Sequence, residues 1–167
     1  MEMQPLETGC LYVRDGKRRY QQASAEAIMA AARSVVNTRS QRGISFMDPL
    51  TARHFFRDRL AGYEREVFAV VFLDTRHRLI DYAEMFLGTI DSAEVHPREV
   101  ARLALRHNAS AVIVAHNHPS GATDPSPADR AVTARLKQAL SLVDVRLLDH
   151  IVVGGSETVS MAGRGLV

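Results

Sequence analysis

Two histidines, His116 and His118, stand one residue apart at the end of the apolar run SAVIVA, just ahead of Pro119, Ser120 and Gly121. Alternate residues of a strand share a face, with Cα atoms roughly 6.6 Å apart. Both imidazoles can therefore reach one ion at about 2.0–2.1 Å. Pro119 and Gly121 stop strand pairing and turn the chain at the sheet edge. Ser126-Pro127-Ala128-Asp129 follows in the form of a capping box, serine at the N-cap and a carboxylate three residues on. The positive end of the helix dipole keeps such a carboxylate ionised, which suits it as a hard third ligand. Two histidines and one carboxylate leave the fourth tetrahedral position to water, the layout of a catalytic zinc rather than a structural one.

Simpler roles compete for the same residues. A histidine pair at a strand end can be satisfied by hydrogen bonds alone. A capping carboxylate contributes about 1 kcal/mol with no metal present. One carboxylate is not expected to serve both the Ser126 N–H and an ion in full. A metal-activated water also needs a base, and Glu64, Glu66 and Glu84 all fall beside strands of the same sheet.

The elements that must position these residues are legible from periodicity. Ser24 opens a helix whose stripe is Ile28, Ala31, Ala32, Val35 and Val36, up to about Thr38. Thr38 to Gly43 reads as a basic loop. Asp48-Pro49 reads as an N-cap and first helical residue, opening a helix through Phe55, Phe56 and Leu60. Val67 to Leu73 is a continuous apolar run, the mark of a strand covered on both faces. Asp74 to His77 is a turn, and Arg78 to Thr89 the return strand of a hairpin. His96-Pro97 starts a helix with Val100, Leu103, Ala104 and His107 on one side. Ser110 to Ala115 is a buried strand, Ser126-Pro127 opens a helix to about Leu142, Val145 to Val153 is a strand, and Thr158 to Met161 a last short one. This order implies an α/β (α+β) domain, a mixed sheet flanked by helices. We divide the chain into an N-terminal extension with one helix, 1–47, and the domain proper, 48–167.

Composition narrows the function classes. Of 167 residues, 46% are hydrophobic and 24% charged, ordinary values for a globular protein. No window approaches the roughly 18 apolar residues of a membrane span. The first twenty residues lack the apolar core of a secretory signal, so the expected location is the cytoplasm. The single cysteine, Cys10, excludes an intramolecular disulfide and a cysteine-built zinc site. Net charge is only +2, a weak pointer to nucleic acid, and Lys17-Arg18-Arg19 reads as a solvated run. His54, His77, His96 and His107 read as surface or capping residues. Asp149 and His150 lie in an apolar strand and read as structural, or as partners of the ligands. Metal-bound imidazoles commonly hand their other N–H to a carboxylate or carbonyl.

The series His116-Asn117-His118, seven residues, Ser126, two residues, Asp129 resembles the His-x-His-x7-Ser-x2-Asp motif of the JAMM (MPN-type) metalloproteases. The wider context is similar to the RadC-like JAB domain family in particular: Arg65-Glu66-Val67-Phe68, Gly88-Thr89, Val95-His96-Pro97-Arg98-Glu99, His116 through Gly121, Pro125-Ser126 and Leu148-Asp149-His150. The likeness covers about residues 50–163. It implies a JAMM/cytidine-deaminase-like architecture, one Zn2+ per chain held by His116, His118 and Asp129, Glu66 as general base, and Ser126 steadying the oxyanion. Asn117 departs from the Ser or Thr that many JAMM proteases carry between the histidines; asparagine is usual in the RadC-like branch. That branch often carries an N-terminal helix-hairpin-helix unit associated with DNA, of which this sequence shows no clear pair of hairpins. The expected function is a zinc-dependent hydrolase acting on a peptide or isopeptide. The rival readings are a catalytically idle metal-binding module in a DNA-repair or mobile-element context, and a zinc-dependent nuclease with a nucleic-acid partner.

Overall fold

The computed structural model describes residues 12–14, 19–39, 43–88 and 94–167. Cys10, Lys17, Arg18, Thr89 and residues 40–42 of the basic loop lie outside them. The chain divides into two compact units, Met1–Ser40 and Gln41–Val167. In the first, strands β1 (Tyr12–Arg14) and β2 (Tyr20–Gln22) pair antiparallel, a hairpin too short to leave a periodic signal in the sequence. Helix α1 (Ala25–Arg39) follows, its start capped by the Ser24 hydroxyl, which accepts from the Ala27 N–H at 3.1 Å.

The second unit holds α2 (Pro49–Leu60), β3 (Val67–Leu73), β4 (Leu79–Leu87), α3 (Pro97–Arg106), β5 (Ala111–Asn117), α4 (Pro127–Ser141), β6 (Arg146–Gly154), β7 (Glu157–Ser160) and a 3-10 turn, Ala162–Arg164. The five strands form one mixed sheet in the order β4-β3-β5-β6-β7. All pairs are antiparallel except β5-β6, which α4 joins as a crossover. The fold is thus mixed α/β, as expected. Ser45 bridges to Arg78, and Phe46 packs edge-on against Phe55, so both residues belong to this unit.

Burial on both faces explains the unbroken apolar runs. Val67, Ala69, Val71 and Leu73 face α2 and its Phe55, Phe56 and Leu60. Phe68, Val70 and Phe72 face Val100 and Ala104 of α3 and Leu136 and Leu140 of α4. Side chains such as Phe56 and Leu60, wholly removed from solvent, each stabilise the fold by about 1.5–3 kcal/mol. The alternation continues along β5, where Val112 and Val114 face α3 and α4 while Ala111, Ile113 and Ala115 face α2. His116 and His118 therefore emerge on the α3/α4 side and Asn117 on the α2 side. No helix among the described residues is long and apolar enough to cross a membrane.

A candidate metal centre at the end of β5

Strand β5 ends where its chemistry begins. The last ladder bond is His118 N–H to Val153 O at 2.8 Å, and a turn closed by Gly121 N–H to His118 O at 3.0 Å follows. Gly121 adopts φ +82°, a conformation that a side chain would strain. Helix α4 then starts with the expected capping box, and its Asp129 faces back toward the strand end. His116 Nε2 lies 2.9 Å from His118 Nε2 and 3.1 Å from Asp129 Oδ1. His118 Nε2 lies 3.6 Å from Asp129 Oδ2. One donor atom from each of the three residues falls within 4.8 Å of the others. The sequence-derived trio meets in space.

The hydrogen bonds behind these atoms decide which nitrogens carry protons. His118 Nδ1 is 2.8 Å from the carbonyl of Ala122, which only accepts, so Nδ1 holds the proton. Thr133 Oγ1 donates to the Asp129 carbonyl at 2.5 Å and so accepts from His150 Nδ1 at 2.6 Å. His150 Nε2 is then a lone pair, and His116 Nδ1–H donates to it at 2.8 Å. Both neutral imidazoles thus present bare Nε2 atoms to each other and to a carboxylate oxygen. Three electron pairs converging in a pocket where His116 is 1% exposed need a cation between them. The residues fit a divalent metal.

The charge balance of the metal-free protein agrees. The Asp129 carboxylate beside it raises His118 above its ordinary pKa, against the effect of burial. Burial pushes Asp129 up, but the imidazoles of His116 and His118 and the Ser126 hydroxyl outweigh it and hold the carboxyl far below the usual range. The carboxylate thus favours a cation at His118, whether a proton or a metal. Burial depresses His150 well below the ordinary histidine value, so it stays a neutral hydrogen-bond relay.

The anticipated competition for Asp129 does not arise, because its two oxygens divide the work. Oδ2 accepts from the Ser126 N–H and the Ser126 hydroxyl, each at 2.7 Å, while Oδ1 turns to His116. The outer partners of the histidines also depart in part from expectation. His118 does use a carbonyl, but the partner of His116 is another histidine. Asp149 instead accepts from the His150 and Ala162 N–H groups and the Ser160 hydroxyl, pinning the chain after β7 to β6.

Of the three glutamates, Glu66 alone lines the cavity beside the cluster, about 420 Å³, with Phe68, His118, Ser126 and Asp129. It is 8% exposed, and its carbonyl accepts from Gly88 N–H at 2.8 Å. Glu84 accepts from the Tyr63 and Tyr82 hydroxyls at 3.0–3.1 Å and lies outside that cavity. Burial lifts the Tyr82 phenol far above its ordinary value, so it remains a donor to Glu84. Neither Glu64 nor Glu84 lines that cavity.

Two residues of the site were missed as functional from sequence. Asn117 is 3% exposed, takes the Val67 N–H on Oδ1 at 2.8 Å, and donates through Nδ2 to Arg65 O at 3.0 Å. It splints the segment that carries Glu66 to the strand that carries the histidines. Thr133 left a readable signal: with Asp129, Leu136 and Leu140 it forms the buried stripe of α4, where a polar side chain must find a partner.

A mixed sheet that brings three metal-ligand donors together beside a buried carboxylate has the arrangement of a metal-dependent hydrolase. Residues 46–166 match the model of the RadC-like JAB domain, and the chain belongs to that family. It is 53% identical over 145 residues to a UPF0758 protein of Marinobacter nauticus, covering 87% of this chain and 65% of that relative. A UPF0758 protein of Xanthomonas campestris pv. campestris is 59% identical over 127 residues, 76% of this chain and 56% of the relative. One of Vibrio cholerae serotype O1 is 53% identical over 145 residues, 87% of this chain and 91% of the relative. The chain thus spans less than two thirds of the length of the first two.

Proposed function

We propose that the chain is a zinc-dependent hydrolase that cleaves a peptide or isopeptide bond, with His116, His118 and Asp129 as zinc ligands and Glu66 as general base. The observation that carries this reading is the convergence of two Nε2 atoms and one carboxylate oxygen at the edge of a cavity that Glu66, His118 and Asp129 line. Bound there, zinc supplies Lewis acidity and brings the pKa of a coordinated water to near 7. Glu66 accepts the proton of the attacking water and delivers it to the leaving amine. The Ser126 hydroxyl turns from Asp129 Oδ2 to donate to the developing oxyanion, and Oδ2 keeps the Ser126 N–H. A nuclease has less support, because phosphoryl transfer commonly employs a second metal, and among the described residues one ligand cluster is present.

The test pairs metal analysis with turnover. Protein purified without a histidine tag should hold about one zinc per chain, and a chelator should abolish hydrolysis of peptide or isopeptide substrates. Glu66→Gln should keep its zinc and lose about 10²–10⁴-fold in rate. Glu84→Gln, outside the cavity, should change little. Equal turnover in the parent and Glu66→Gln would remove the base assignment. A zinc-loaded parent inactive on every substrate tried would favour an idle binding module.

A further inference from the structure

The cavity beside the metal cluster does not end there. Its α4 wall continues from Asp129 through Val132 to Arg135. A second, open depression of about 490 Å³ shares His96 and Arg135 with it and runs on over Ala139 to Leu142. These positions recur every three or four residues, so one face of α4 floors a single groove, with His96 and Pro97 at the start of α3 on the other side. Asp129 and Leu142 are thirteen residues apart in a helix that rises 1.5 Å per residue, which makes the groove about 20 Å long. At about 3.3 Å per residue it takes roughly six residues of extended chain.

Charge in the groove is uneven. Glu94 lies 4.0 Å from His96, and Arg98 is drawn to Glu99 at 3.3 Å, which also binds Arg102 at 2.9 Å. Among the described residues, Arg135 has no such partner. Val132, Ala139, Pro97 and Leu142, the last 86% exposed, supply apolar surface along it, beside the polar Ser126 and Gln138. A nucleic-acid strand of this length would bring several phosphates and would call for a stripe of cations with aromatic platforms. The distal half has no Phe or Tyr, and the groove has one unpaired cation. A trough of mixed apolar and polar lining with a single free guanidinium suits a peptide with one carboxylate, which arginine can grip through two parallel hydrogen bonds.

We propose that this groove is the substrate channel of the hydrolytic centre, and that Arg135 selects an extended peptide bearing an acidic side chain about three residues from the bond to be cleaved. Arg135 is six helical residues beyond Asp129, about 9 Å, which an extended strand covers in about three. The inference rests on the hydrolase reading above, and its test separates the two.

Fluorescein-labelled dodecapeptides with Glu, Gln or Lys at every fourth position are titrated against the zinc-loaded Glu66→Gln chain, which binds without turnover. The Glu series should bind at least about tenfold more tightly than the Lys series, and added salt should narrow the gap. Arg135→Glu should reverse the order, and Arg135→Gln should abolish it, at unchanged zinc content and circular dichroism. Equal binding of the two series, a preference indifferent to both Arg135 variants, or no binding of either overturns the channel. So does Arg135-dependent binding of oligo-dT in place of the peptides. Cleavage of the same peptides by the parent, mapped by mass spectrometry, should place Glu three residues from the cut. Acid-selective binding without cleavage would overturn the hydrolase reading and leave the groove standing. Chelator-sensitive cleavage with no acidic preference would do the reverse.

Discussion

Removing one buried hydroxyl should loosen the metal from a distance. Thr133 touches none of the converging donor atoms, yet its Oγ1 donates to the Asp129 carbonyl and accepts the proton of His150 Nδ1. In Thr133→Val that proton loses its acceptor inside a fully buried pocket, at a cost of about 1–3 kcal/mol. His150 can escape by moving the proton to Nε2, but Nε2 faces His116 Nδ1 at 2.8 Å. His116 would then have to place its own proton on Nε2, the atom turned toward the cluster. Either course weakens the site. Loss of a ligand-orienting partner typically lowers metal affinity by about 10–100-fold, or about 1.4–2.7 kcal/mol. The assay is zinc competition against a chromophoric chelator, read beside thermal unfolding of the metal-free protein. Thr133→Ser keeps the hydroxyl and should stay within a few-fold of the parent. If Thr133→Val is less stable but binds zinc as tightly as the parent, the relay is structural only and the tautomer argument fails.

Three further outcomes follow from the same geometry. Asn117→Ala strands the Val67 N–H, which should cost about 1–3 kcal/mol in denaturant unfolding and lower turnover through Glu66 while zinc content holds; an unchanged rate would mean the splint does not place Glu66. A Cβ at Gly154 would overlap Gly121 O and stand 2.9 Å from Ala122 O, the acceptor that orients His118, so Gly154→Ala should lose stability by about 1–3 kcal/mol and weaken zinc binding. The double variant His116→Ala/His118→Ala should lose the metal yet keep its far-ultraviolet circular dichroism, because the apolar clusters on both faces of the sheet hold no metal ligand; an unfolded double variant would make the site structural.

The sequence was most informative where a residue type had one physical use. Prolines at the first turn, an Asp48 cap and unbroken β-branched runs placed α2, α3, α4 and the central strands to within a few residues, since each of these signals acts through its own backbone. The spacing of His116 and His118 is a strand property, and the Ser126–Asp129 box a helix-start property, so the meeting of these three side chains was readable as well. What stayed hidden depends on register. By bare chemistry Glu66 and Glu84 are nearly equivalent, and only the family resemblance favours Glu66; the β3-β5 pairing, Phe68 opposite His116, brings Glu66 level with His118, whereas Glu84 pairs with Ala69 further along the sheet. Likewise nothing local says that the Asn117 side chain turns to the Val67 amide, because that contact joins residues fifty apart.

Asp129 shows why the centre can form before any metal arrives. As the third residue of α4 it would be held near the helix start by the capping box alone, with Oδ2 bonded to Ser126. The same bonds leave Oδ1 directed at His116, and the helix dipole favours the ionised form. His116 is fixed by the His150–Thr133 relay, which ends on the backbone carbonyl of Asp129. Leu136 and Leu140 hold α4 against Val112 and Val114, one turn of the ladder from the ligands. The fold therefore supplies the separation of the candidate donors, the tautomers and the charge, and a metal would compete only with protonation of His118. Binding should consequently release protons as pH falls toward that histidine's raised pKa while leaving the backbone where it is, which amide exchange of α4 with and without zinc can check. Slow exchange in α4 only when zinc is bound would show that the metal, and not the cap, organises the helix.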